Sequence, residues 1–274
     1  MKTKMQFSWF STAILCFASF LALAPLFWMV SVSFMGPEDT NSLTPPILPS
    51  KVTFENYAVL FEQQSMGRYV LNSLIISTCA TFLALSFNIT AGYAFAKLRF
   101  TGKEKLFQGL LMALVIPGQL SMFPLFFMAK NMGLLNSFGG VLIPFMASLF
   151  GILMVRQYAL SIPNEMLEAA RVDGASEYQV FWHIVLPNLT PIMVTLAIFT
   201  FLGAWNDFLW PLIVLSDDKF YTLPLALAGL SREHVQDHGL IMAGAMVTIV
   251  PVLLIFLILQ RQYVRGLLAG SVKG

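Results

Sequence analysis

Residues 161–189 read SIPNEMLEAARVDGASEYQVFWHIVLPNL and lie between two apolar runs long enough to cross a bilayer. For a connector this segment is long, and it is patterned as two short helices rather than as coil. Pro163 suits a first helical turn, where its missing N–H costs nothing. Glu165 and Glu168 fall in the first turns, which suits the helix dipole, and Leu167, Ala169 and Ala170 supply a small apolar face. Gly174 is placed to end this helix in a left-handed cap. Ser176 with Gln179 is a capping-box pattern that starts the second helix; Tyr178, Phe181 and Val185 fall near one face, and Pro187 closes the unit. Arg171 stands one turn after Glu168, a pairing worth roughly 0.2–0.5 kcal/mol, and His183 suits the negative end of the second helix. Two helices broken by a glycine, with apolar residues left outside, make a docking knob.

Working outward, the composition explains what this knob hangs from. The chain is 57% hydrophobic, 14% aromatic and only 11% charged, against about 25% charged in a soluble domain. A bilayer crossing needs about 20 apolar residues, and six such spans are read: 9–34 (interrupted by Pro25), 69–96, 106–129, 140–160, 190–215 and 240–259. Residues 1–8 precede them, and 161–189 join spans four and five. The fold class is therefore an all-α membrane protein. Orientation follows from the lysines and arginines in the loops. With the N-terminus in the cytoplasm, the inner side receives Lys2, Lys4, Lys97, Arg99, Lys103, Lys105, Arg156, Arg171, Arg261, Arg265 and Lys273. The outer side receives Lys51, Arg68, Lys130, Lys219 and Arg232. The expectation is an N-in, C-in chain with residues 161–189 in the cytoplasm.

Lys2 and Lys4 before an apolar stretch ending at Leu21–Ala24 have the look of a cleavable signal. The run continues through Leu26–Val30, which favours a retained helix. Residues 35–67 carry Pro37, Pro45, Pro46 and Pro49 and read as an ordered outer cap with a short helix near Phe54–Gln63. Cys16 and Cys79 sit inside spans, with neither disulfide nor metal-ligand spacing. A net charge of +2, without basic residues interleaved with aromatics, argues against nucleic acid.

The knob also carries a resemblance. Glu168-Ala169-Ala170, three residues, Gly174, nine residues, then Ile184-Val185-Leu186-Pro187 resembles the EAA motif of ABC importer permeases, in the position before the last two spans where those permeases carry it. Trp205-Asn206-Asp207-Phe208 with Pro211, the ending Val264–Gly274, Asn72-Ser73, Ala91–Ala94 and Gly133–Asn136 resemble the carbohydrate-uptake, MalG-like branch. The resemblance implies a type I importer permease of MetI-like fold in the bacterial inner membrane. It also implies a heterodimer with a second permease, two ATP-binding subunits and an extracytoplasmic solute-binding protein. The substrate implied is a mono-, di- or oligosaccharide or a polyol phosphate. Glu168, Ala169, Ala170, Gly174, Ile184, Leu186 and Pro187 would then couple to the ATPase. The chain has no G-x-x-x-x-G-K-[ST] run to cradle phosphates, so ATP and magnesium would belong to the partner. No cofactor and no enzymatic activity are expected of this chain.

Inside the spans Asp207 is the one acid, and an intramembrane acid marks either a translocation path or a structural hydrogen bond near Pro211. Asn206, Asn72, Ser73 and Gln119 are the other path candidates, with Asn88 beside them; interhelical hydrogen bonding explains such groups equally well. His234 and His238, four apart, have metal-compatible spacing but no clear further ligand. Pro117-Gly118 and Pro251 read as kinks, and residues 216–239 as an outer loop able to meet a binding protein. The rival class, an ion-driven secondary transporter, calls for related halves and several buried charges. The sequence shows no clear internal repeat and only Asp207. A membrane-embedded enzyme would need clustered catalytic groups, which the three histidines and the acids do not assemble.

Overall fold

The computed structural model describes residues 9–42, 44–233 and 237–269, and among them there is no strand. The helices are α1 (Trp9–Ser33), α2 (Glu55–Glu62), α3 (Met66–Lys97), α4 (Lys103–Ala113), α5 (Gly118–Asn131), α6 (Phe138–Phe145), α7 (Leu149–Leu160), α8 (Asn164–Val172), α9 (Glu177–Asn188), α10 (Thr190–Trp205), α11 (Leu209–Val214), α12 (Leu223–Glu233) and α13 (His238–Ala269). α1, α3 and α13 are each long and apolar enough to cross a membrane alone.

Three further pairs of consecutive helices meet at sharp bends. α4 and α5 are bent by 108°, α6 and α7 by 44°, and α9 and α10 by 73°. Within 106–129 two helices meet at residues 114–117, where the sequence places a kink at Pro117-Gly118. Pro117 lacks an N–H and disfavours helical geometry at Ile116, and it takes the extended values φ −58°, ψ 132° ahead of α5. Likewise 140–160 breaks before Ser148, whose Oγ accepts from Gly151 N–H to open α7, and 190–215 breaks at Asn206–Phe208. Pro25, expected to interrupt the first span, lies inside an unbroken α1, and Pro251 lies inside α13.

The chain divides into two compact units. In the first, residues 1–67 with 226–251, the outer cap is tied to the end of α1. Asn56 Nδ2, buried, donates to the Ser33 and Met35 carbonyls at 3.0 and 2.9 Å, and Tyr57 Oη donates to Ser33 Oγ at 2.9 Å. The Phe34 and Phe54 rings meet edge-on. Ser31 Oγ donates to the Ile47 carbonyl, so the proline-rich segment is pinned by its backbone. Gly239 abuts Asn56 and Gly244 abuts Leu227, contacts too close to admit a Cβ. The stretch 216–239, expected as a loop, contains α12.

The second unit, residues 68–225 with 252–274, has two apolar clusters. One gathers Ile76, Val141, Trp210, Val214, Leu215 and Leu225, with the buried Trp210 indole donating to the Gly140 carbonyl at 3.0 Å. The other gathers Ile89, Tyr93, Val155, Ala159, Leu167, Val180, Val185 and Leu196, and so joins α3 and α7 to α8–α10. α3 and α7 approach closely because small residues line the seam. A Cβ on Gly92 would stand 2.6 Å from Val155 Cβ, and one on Gly151 would stand 2.7 Å from Asn88 Nδ2.

Candidate functional site

The docking knob forms as two helices on that second cluster. α8 starts after Pro163, which stands just outside the helix at φ −59°, ψ 135° rather than within its first turn. Gly174 takes φ +88°, the left-handed conformation that glycine adopts without penalty, with open space where a Cβ would point. Ser176 and Gln179 make both halves of the capping box. Leu167 is buried and Ala170 partly buried, whereas Glu168 and Ala169 face outward.

Several expectations for the second helix change. Val180 and Val185 are the buried residues and Tyr178 is 70% exposed, so the inner face is rotated from the one read off the sequence. The helix then passes through a π-helical stretch, Phe181–Val185. Pro187 does not close the unit: Leu186–Asn188 is helical, and proline is tolerated at the start of such a turn. Ile184 and Leu186 are partly buried against the cluster. His183 lies mid-helix, its Nδ1 3.0 Å from the Gln179 carbonyl. Arg171 pairs across the glycine turn with Glu177 at 2.6 Å, not with Glu168. That bond holds the Glu177 carboxyl below the usual glutamate range and raises the guanidinium further. The pair therefore stands above the unfolded glutamate pKa and is lost as pH falls through the lowered folded value. Both groups are well exposed, so it contributes little beyond local order.

Two residues that the sequence reading did not single out as site residues tie this unit to α3. Lys97 Nζ donates to the Ile162 carbonyl at 2.5 Å, to Asn164 Oδ1 at 2.8 Å and to the Leu160 carbonyl at 3.5 Å. Tyr93 Oη donates to Glu177 Oε2 at 3.4 Å. Lys103 Nζ reaches the Ala96 and Leu98 carbonyls, and Arg156 lies over the Phe107 ring while bonding the Phe95 carbonyl. The available signal was Tyr93 and Lys97 four apart at the end of an apolar helix, which places them on one face.

The proposed path residues separate into two groups. Asp207 and Gln119 line one cavity of about 360 Å³ with Ser121, Met122, Pro144 and Trp210. Asp207 Oδ1 also accepts from Trp210 N–H at 3.5 Å, at the start of α11. Asn206 is exposed and donates back to the Leu202 carbonyl. Asn72 and Ser73 do not face that cavity; both are buried. Asn72 Nδ2 donates to the Lys219 and Tyr221 carbonyls at 2.9 Å each, and Ser73 Oγ accepts from Leu223 N–H at 2.7 Å. Asn88 accepts from Ser148 N–H at 2.9 Å. All three thus bond backbone groups of other segments, while Asn88 Nδ2 is buried without a hydrogen-bond partner. His238 lines a small cavity with Trp28, Met35 and Met242; His234 lies outside the described residues.

Apolar helices long enough to cross a membrane, with a capped polar helix pair packed on α3 and α7, define an all-α membrane protein. Residues 88–268 match the family described as binding-protein-dependent transport system inner membrane component. The chain is 35% identical over 276 residues to the arabinooligosaccharides transport system permease protein of Halalkalibacterium halodurans, covering 100% of this chain and 99% of that one. It is 35% identical to the lactose transport system permease protein of Rhizobium radiobacter, covering 95% and 94%. A bacterial ABC transporter involved in import of the acidic polysaccharide alginate superposes with a TM-score of 0.82 at 22% identity, over 91% of this chain and 94% of that one. The chain belongs to this family of inner-membrane transport components.

Proposed function

We propose that this chain is one of two permeases in an ATP-driven carbohydrate importer, with Glu168, Ala169, Ala170 and Gly174 contacting the ATPase and Ile184, Leu186 and Pro187 backing them. The observation that carries this reading is the knob itself. Glu168 and Ala169 face outward on a helix that ends at a left-handed glycine, and its inner face is held by the bundle. Small outward residues let a partner backbone approach closely, and the chain's own polar groups offer no phosphate cradle. Energy then comes from two copies of a partner ATPase. Six spans result when α1, α3 and α13 cross singly and α4–α5, α6–α7 and α10–α11 each cross once, with both termini in the cytoplasm and a solute-binding protein meeting the outer surface. A sugar is favoured because the named relatives handle arabinooligosaccharides and lactose, and the Asp207–Gln119 cavity offers an acid and an amide to hydroxyl groups.

The test is purification of the complex through a tag on this chain and reconstitution with its binding protein. ATP hydrolysis is expected to rise several-fold with loaded binding protein, and Gly174→Asp to abolish that rise while membrane insertion persists. Proton- or sodium-driven uptake by this chain alone, without nucleotide, would overturn the reading.

A further inference from the structure

We infer that Tyr93 and Lys97 are positioning residues that make α3 and the two coupling helices one lever. This rests on the coupling role proposed above and names the parts that carry the motion inward. The two side chains stand one turn apart on one face of α3, and their grips straddle Gly174. Lys97 holds Ile162 and Asn164 at the entry to α8, and Tyr93 holds Glu177 at the entry to α9.

Gly174 is the natural hinge of the knob, with positive φ and nothing within 4 Å of where a Cβ would point. Without the two struts, only the apolar cluster and the exposed Arg171–Glu177 bridge would restrain α8 and α9 about it, and part of a pull on the knob would dissipate there. With them, Arg171 to Glu177 to Tyr93 closes a chain of contacts from α8 through α9 to α3. Lys97 has three donors and three oxygen partners, so its ammonium is fully engaged. The carbonyls of Leu160 and Ile162 also lie at the C-terminal end of α7, where a cation is favoured. A displacement of the knob therefore becomes a displacement of α3 as a rigid body.

The test uses the assembled complex, with Cys16 and Cys79 replaced by serine and spin labels at Val172 on α8 and Thr90 on α3, both exposed. The label separation is compared without nucleotide and with ATP and vanadate. The expected result is a separation constant within about 2 Å across the two states, on the scale of packed-helix shifts. Lys97→Met is expected to shift or broaden it by several times that amount, and Lys97→Arg to restore it. A Lys97→Met complex that keeps the constant separation overturns the inference, as does a wild-type separation that changes with nucleotide. Should Lys97→Met fail to assemble, Tyr93→Phe removes one hydroxyl and is read the same way. Gly174→Asp with normal binding-protein-stimulated hydrolysis would instead overturn the coupling role, so the two failures are distinguishable.

Discussion

Asp207 bonds the start of α11 and lines a cavity, and substitutions separate the cap from the path role proposed for it. Its Oδ1 accepts from Trp210 N–H, and an asparagine oxygen can do the same, whereas alanine cannot. Asp207→Ala is expected to cost about 1 kcal/mol, the usual loss of a cap, and to lower both thermal stability and uptake. Asp207→Asn is expected to keep the melting temperature within about 1 °C, given how little a sub-kcal change moves it, and yet reduce uptake several-fold. Normal uptake by Asp207→Asn would leave the residue a cap and nothing more. The sequence exposed this residue readily, because an acid in an apolar run stands out. It could not show that Gln119 shares its cavity while the neighbouring Asn206 turns back on its own helix, since that depends on where α10 stops.

At the scale of elements, the seam between α3 and α7 is set by two glycines. Gly92→Ala places a Cβ against Val155 where no space exists, and overpacking of this kind costs about 1–3 kcal/mol. Val155→Ala in the same chain removes Cγ1 but leaves Val155 Cβ 2.6 Å from the new methyl, so it is expected to recover only part of that loss, read as the yield and melting temperature of the detergent-purified protein. Failure of the double variant to improve on Gly92→Ala would mean that the seam is not tight there. α8 and α9 were legible because their signals are local: a glycine stop and a serine-to-glutamine box. The break at 114–117 was legible only as a kink at Pro117-Gly118, because Leu114, Val115 and Ile116 are as apolar as the helices on either side, and the break at 146–148 carried no signal in hydropathy. The Arg171–Glu177 bridge and the Lys97 contacts join residues 6 and up to 67 positions apart, and pattern within one helix is silent about them.

For the whole molecule, the question is which way the chain enters the bilayer. In a background lacking Cys16 and Cys79, a cysteine at Lys51 is expected to react with an impermeant maleimide in intact cells. One at Ser161 is expected to react only after the inner face is opened. Both positions are exposed. The reverse pattern would invert the assignment drawn from the basic loops and place the coupling helices where no ATPase can reach them.

The 32-residue α3 has a mechanical corollary. At 1.5 Å per residue it is about 48 Å long, while the oily slab is about 30 Å thick. Even tilted by the usual 20° or so, its tips stand proud by several ångström on each side. In the orientation drawn from the basic loops, Tyr93 and Lys97 fall towards its inner end. A stroke delivered there works like a hand on the loom of an oar: it is applied outside the hull, and the acyl chains need not part for it to reach the far blade.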